Sequence, residues 1–243
     1  MKACFLVTLL AFCVSLPLTA TATEPSVVLT GGGGVLVPGA GSRQPCEGEL
    51  LFHGDGGEGG YENGYAWQYG GILGPYYGAF ADLFSELEEI CAVFFDFTRA
   101  QGYERPDSID VYLWADADGL PGNVLMTLPD VYVAQVPVWP NFARFFVELP
   151  ENVTLPVWIG YWGDWPGQRA SCFIGADLDG QVNPGTPMTN IAPGLGYPTG
   201  WQSVDVVWGA DRRTVALGLG AVVDSGPVPV DRSTWGEVKS LYR

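Results

Sequence analysis

The run Ile109-Asp110-Val111-Tyr112-Leu113-Trp114 alternates residue by residue, with Ile109, Val111 and Leu113 on one side. A period of two belongs to an extended strand with one face against a core, and a helix would need a period near 3.6. Residues 143–149 repeat the pattern: Ala143, Phe145, Val147 and Leu149 turn inward, and Arg144 and Glu148 turn out. Val215, Leu217 and Leu219 do the same in the last strand. Further short runs at 76–83, 92–98, 124–128, 157–161, 172–176 and 204–208 are bounded by Gly, Pro, Asn and Asp, the residues of turns. Residues 84–90 have helical propensity but too few apolar side chains to form a face, and they read as the connection between two strands. About nine strands without a long helix predict an all-β fold, an antiparallel two-sheet sandwich of jelly-roll type.

The ends of the chain read differently. A lone Lys2, an apolar stretch from Ala3 to Leu18 and the triplet Ala20-Thr21-Ala22 have the form of a secretory signal peptide over residues 1–22. The stretch is too short for a spanning helix, so no transmembrane segment is expected in the mature chain. Phe12 stands before Cys13 where lipoprotein processing wants a small residue, which argues against a lipid anchor. Residues 23–45, rich in Gly, Val and Pro, read as a flexible leader, and 46–223 as the sandwich domain. Pro227 and Pro229 stiffen a linker over 224–232. In the tail 233–243, Thr234-Trp235-Gly236-Glu237 has capping-box spacing, and Trp235, Val238, Leu241 and Tyr242 share one helical face. A helix this short is marginal alone, so the tail is expected to need a surface to dock on, either export or surface machinery or the sandwich itself.

Composition excludes several functions. The formal charge is −16 over 243 residues, and the only charged residue of the signal stretch 1–22 is Lys2, so export makes the chain still more acidic. Such a surface repels phosphate backbones and anionic headgroups, and nucleic acid is not an expected partner. Lys239 is the only lysine beyond the leader, which leaves no phosphate-loop or Schiff-base lysine in the body. His53 is the only histidine, so a histidine-dependent nucleophilic site would have to be built on it, and it reads instead as a turn residue in His53-Gly54-Asp55-Gly56-Gly57. The glycines 31–34 lack dinucleotide-fingerprint spacing and precede Val35-Leu36-Val37-Pro38 rather than a helix.

Cys4 and Cys13 leave with the signal, and Cys46, Cys91 and Cys172 remain. An odd count outside the cell suggests one bridge and one free thiol. Cys91 and Cys172 each open a predicted strand, so the expected disulfide is Cys91–Cys172, with Cys46 free.

The blocks Phe52-His53-Gly54-Asp55-Gly56-Gly57, Tyr61-Glu62-Asn63-Gly64-Tyr65-Ala66-Trp67 and Asp116-Ala117-Asp118-Gly119-Leu120-Pro121-Gly122 carry a resemblance, as do residues 172–179 and 190–202 and the terminal Thr234-Trp235-Gly236-Glu237-Val238-Lys239-Ser240-Leu241-Tyr242-Arg243. Together they resemble uncharacterised secreted β-sandwich proteins of environmental bacteria, similar to galactose-binding-like or jelly-roll accessory domains. The resemblance implies export and a sandwich, and it carries over no catalytic residue.

Three candidate sites follow from the residues. The two Asp-x-Asp-Gly runs place Asp116 with Asp118 and Asp177 with Asp179, a pattern that wraps calcium or simply makes a tight turn. No other cofactor is expected. Glu62, Glu86, Glu88, Glu89 and Asp96 are carboxylates from which a glycosidase pair could be drawn, though sequence gives no spacing between them. Tyr161, Trp162 and Trp165, with Trp201 in a second Gly/Pro-rich segment, offer flat rings for stacking on sugars, while Trp158 reads as core. The expectation is a secreted or cell-surface binding or scaffolding sandwich without catalysis, with a glycan or cell-surface component as partner. A structural surface protein and a carboxylate-dependent hydrolase are the alternatives.

Overall fold

The computed structural model describes residues 26–29, 35–54, 65–69, 77–86, 88–99, 101, 107–164, 173–178, 185–191, 199–208 and 214–224. The first strands are β1 (Ser26–Leu29), β2 (Val35–Gly41), β3 (Gly48–Phe52), β4 (Tyr65–Tyr69), β5 (Tyr77–Phe84), β6 (Glu89–Thr98) and β7 (Asp107–Asp116). They are followed by β8 (Pro121–Val133), β9 (Asn141–Thr154), β10 (Val157–Asp164), β11 (Phe173–Asp177), β12 (Met188–Ile191) and β13 (Gly200–Ser203). A short helix α1 (Val204–Trp208) precedes β14 (Ala216–Leu217) and β15 (Leu219–Asp224).

These strands form the expected two-sheet sandwich. A nine-stranded sheet runs β1-β4-β11-β6-β15-β3, with β9 also on β6, β2 on β9 and β14 on β11; a six-stranded sheet runs β13-β12-β5-β10-β7-β8. Pairing between named strands is antiparallel except for β2 beside β9. The alternation read from sequence is the one that closes the core. Ile109, Val111 and Leu113 of β7 and Phe145, Val147 and Leu149 of β9 are all buried in one cluster with Phe80, Phe95, Phe97 and Ile159. Each large apolar side chain removed from water there contributes about 1.5–3 kcal/mol. The segment between β5 and β6 is a connection, as its composition suggests.

Several expectations are corrected. Residues 35–41, assigned to a flexible leader, form β2: Val35 and Leu36 lie in register with Asn141 and Phe142, and Leu36 packs against Phe142 and Phe173. Residues 204–208, expected as a strand from their valines, form α1, in which Val204 and Val207 are buried and Val206 is 59% exposed. Burial three residues apart is the helical solution, and tertiary contacts override the strand preference of valine. The Val204 amide donates to the Pro187 carbonyl, and Asp205 Oδ1 accepts the Thr214 amide, so the first turn of the helix is anchored on two sides.

The disulfide is Cys46–Cys91, with Cα atoms 6.5 Å apart, so Cys91 is not available to Cys172, which lies outside the described residues. The reason is topological. Cys46 enters β3, β3 pairs with β15, and β15 pairs with β6, which carries Cys91; the sulfur of Cys91 lies 3.5 Å from the Val222 carbonyl oxygen of β15. β3 has no clean alternation in the sequence, so its neighbourhood was not visible there. Residues 1–22, read as a signal peptide, and residues 225–243, read as linker and tail, also lie outside the described residues. No helix among the described residues is long and apolar enough to cross a membrane.

Candidate functional site

The inner face of the six-stranded sheet is core, and its outer face carries a second hydrophobic cluster. β7 alternates, so the residues opposite Ile109, Val111 and Leu113 are Asp110, Tyr112 and Trp114; on β10 the residues alternating with Ile159 and Tyr161 are Trp158, Gly160 and Trp162. Register sets Trp158 beside Trp114, Gly160 beside Tyr112 and Trp162 beside Asp110. Trp114, Trp158, Ala81 and Met188 are buried in this cluster, with Leu83, Tyr112 and Trp201 packed on it.

Small residues shape this face. Ala79 and Ala81 of β5 stand in register with Trp162 and Gly160, and a β-carbon at Gly160 would lie 2.1 Å from the Phe80 carbonyl oxygen. The low middle lets Trp201 cross from β13, over three intervening strands, until its ring lies 5.3 Å from that of Trp114 at 78°. Tyr112 stacks on the same indole at 5.1 Å and 9°. Edge-on and stacked pairs of this kind are favourable beyond the area they bury. Trp114 and Trp158 are therefore foundation, and Tyr112, Trp162 and Trp201 keep part of their rings in solvent.

The sequence-predicted ring set is divided by the fold. Trp162 and Trp201 belong to this outer face. Tyr161 does not: it is 1% exposed on the inner face, with its ring 5.6 Å from Phe95 and 5.3 Å from Phe97, both edge-on. Adjacent residues of a strand point to opposite faces, so Tyr161 and Trp162 cannot both serve one platform. Trp165 lies outside the described residues. Tyr112 and Trp114 were missed, although the run that predicts β7 held the signal: its second set of alternating positions is Asp110, Tyr112, Trp114 and Asp116.

The acidic runs fall on different sheets. Asp118 and Gly119, with φ of 56° and 82°, make the two-residue hairpin turn between β7 and β8, closed by reciprocal Ala117 and Leu120 backbone bonds of 2.9 and 3.2 Å. Asp-Gly suits a turn that needs both central residues at positive φ. Asp116 Oδ1 accepts the Gly119 amide at 3.2 Å and the Trp158 Nε1–H at 2.8 Å, so this carboxylate serves the turn and holds an indole of the aromatic face. Asp177 ends β11 in the other sheet and is 1% exposed, and Asp179 lies outside the described residues. No three His, Cys, Asp or Glu among the described residues gather as a metal site.

Of the carboxylates considered for hydrolysis, Asp96 is fully buried in a two-bond pair with Arg144, at 2.8 and 2.7 Å. Glu88 and Glu89 are exposed, Glu86 is half-buried, and Glu62 lies outside the described residues. A different carboxyl is perturbed. Asp82 lies between Phe80 and Phe84 on the inner face of β5, and burial raises its pKa to about 7, opposed by the backbone N–H groups of Thr186, Leu83 and Leu217. Its Oδ2 has no hydrogen-bond partner among the described residues, and a β-carbon at Gly185 would lie 2.3 Å from it. The signal for Asp82 was an acid occupying an apolar alternating position. His53 packs edge-on against Phe84 at 4.4 Å, and burial lowers its pKa against the opposing charge of Glu86. At Tyr112, burial and then the Asp110 charge raise the phenol pKa, so the hydroxyl stays a donor.

The chain matches no protein-family model, no curated protein and no solved structure.

Proposed function

We propose that the protein is a secreted, non-catalytic binding module whose six-stranded sheet offers its outer aromatic face to a glycan. The observation that carries this reading is a set of partly buried rings on one sheet face: Tyr112 and Trp201 packed on the buried indoles Trp114 and Trp158, and Trp162 at the same alternating positions of β10. A sugar ring has an apolar C–H face that stacks on an aromatic plane and a rim of hydroxyls that needs acceptors. Rings held on a paired sheet lose little conformational freedom on binding, which favours affinity. Asp110, in register with Trp162 and next to Tyr112 on the same face, supplies an acceptor. The signal-peptide pattern of residues 1–22 supports export.

The test is retention of the mature protein by immobilised polysaccharides, with the double variant Trp162→Ala/Trp201→Ala and the single variant Tyr112→Ala compared after thermal melts establish folding. Loss of retention in a folded variant supports the reading. Retention equal to the wild type in both variants refutes it, and the absence of any saturable ligand favours a structural surface protein.

A further inference from the structure

The six strands of the sheet that carries the rings contain Asp82, Asp107, Asp110, Asp116, Asp130 and Asp164, and no lysine, arginine or histidine. Two of these acids, Asp110 and Asp116, are tied to the aromatic face. Asp110 neighbours Tyr112 and pairs in register with Trp162; its Oδ1 accepts the backbone N–H of Asp130 at 2.8 Å, and Asp116 Oδ1 holds the indole N–H of Trp158 at 2.8 Å. Every charge carried by these six strands is negative. Tyr112 reports it, because the Asp110 charge adds to burial in opposing formation of the phenolate. A sulfate, phosphate or uronate brought beside that ring meets the same opposition, with no cation on these strands to offset it.

We infer that the aromatic face binds uncharged, hydroxyl-rich polysaccharide and rejects sulfated or uronate-bearing chains, an inference that rests on the glycan-binding reading above. The available chemistry fits hydroxyl donors. A carboxylate has about four lone-pair sites, so after accepting one backbone N–H, Asp110 retains acceptor capacity for a sugar hydroxyl. The Tyr112 hydroxyl remains protonated and can donate to a ring or hydroxyl oxygen. A cationic chain would be drawn by the same field, but its affinity would fall with salt, whereas stacking and neutral hydrogen bonds are nearly insensitive to it.

The experiment is affinity electrophoresis of the intact mature protein through gels containing a neutral β-glucan, a neutral mannan, alginate or chondroitin sulfate, with binding repeated in solution at about 20 mM and about 500 mM NaCl. The expected result is retention by at least one neutral polymer, at least about tenfold tighter than by either anionic one, a gap of about 1.4 kcal/mol. That affinity should change less than about twofold between the two salt concentrations. Asp110→Lys should gain retention by alginate at low salt. Equal or tighter binding of the anionic polymers, or no gain in the folded Asp110→Lys variant, overturns the charge inference while leaving a glycan-binding face in place. Failure of all four polymers to bind, together with no effect of Tyr112→Ala on any retention, removes the glycan reading and this inference with it.

Discussion

On the outer face of the nine-stranded sheet the Arg144 guanidinium lies 4.0 Å from the Phe94 ring centroid and 5.3 Å from that of Phe52, and it pairs with an Asp96 that has no exposure at all. On the outer face of the six-stranded sheet Tyr112, Trp162 and Trp201 are partly buried, and the only charged residues on the sheet's six strands are aspartates. Both faces occupy the alternating positions that a sandwich ordinarily gives to water. One has been closed with a paired charge and phenyl rings, and the Cys46–Cys91 bridge fastens the segment leading into its edge strand β3. The other is built on buried indoles with partly buried rings packed on them. One outer face is closed over a charged pair, and the other carries the grouped, partly buried rings on which the glycan-binding proposal rests.

The largest effect that would break this comparison lies on the closed side. Asp96→Ala leaves the guanidinium of Arg144, only 13% exposed, without its carboxylate. Removing one partner of a buried pair costs about 3–5 kcal/mol, and urea unfolding should show a loss of that size. A loss below about 1 kcal/mol would mean that this face is solvated like an ordinary surface. The disulfide comes next. It closes a 45-residue separation, and the Cys46→Ser/Cys91→Ser variant should lose about 2–4 kcal/mol, read by the same urea titration. A variant as stable as the parent would show that β3 holds its place on β15 without the bridge.

How much of this was legible in the sequence depends on which physical signal each residue carried. Strands with one face in the core, such as β7 and β9, announced themselves, because burial on a pleated strand imposes a period of two. The second face of β7 carried just as regular a set, Asp110, Tyr112 and Trp114, but rings on the side away from the core do not reveal whether they are open or covered. Tyr161 and Trp162 looked like one cluster because they are adjacent in sequence, and the pleat separates them. The loop-like reading of residues 35–41 failed because β2 is held by β9, far along the chain, rather than by any local pattern. The cysteine pairing failed for the same reason: strand adjacency is non-local, and Cys46 reaches Cys91 only through β15.

Asp82 allows the open face to be tested for dependence on the interior. Its carboxyl is bonded to the Thr186 amide in the segment that leads directly into β12 and so toward Trp201 on β13. The same segment is tied to Val215 through the Gly185 amide and to α1 through Pro187. Titratable groups on neighbouring elements include Tyr161 of β10 opposite Phe80, His53 against Phe84, Asp205 bonded to Thr214, and Asp177 beside β14. With its folded pKa raised from 3.8 to about 7, Asp82 keeps a proton in the folded protein that the unfolded chain has already released. Its contribution to stability is therefore complete below about pH 4 and is lost as pH rises toward 7, with a slope of up to about 1.4 kcal/mol per pH unit. His53 acts in the opposite direction, since a lowered pKa costs stability as pH falls below 6.5. Asp82→Asn should remove the loss between pH 4 and 7 and leave the His53 limb, as read from unfolding free energies at several pH values. An unchanged profile would show that Asp82 titrates normally and that the segment 185–187 is held by its other bonds.

The smallest effect on stability should accompany the largest effect on binding. Tyr112 rests one face of its ring on Trp114 and leaves the other side of the side chain half in solvent, so Tyr112→Ala removes a stacked pair without opening the sandwich core. The stacking term is worth about 0.5–1.5 kcal/mol, so the unfolding free energy should fall by about 1 kcal/mol. Truncating Tyr161, one strand away and equally aromatic, should instead cost about 3–5 kcal/mol, because its ring meets Phe80, Phe95 and Phe97 inside the core. Measured side by side, the two tyrosines separate a ring that serves the surface from one that serves the fold. If Tyr112→Ala were as damaging as Tyr161→Ala, the outer cluster would be a second core, and the half-exposed rings would lose their claim to recognition.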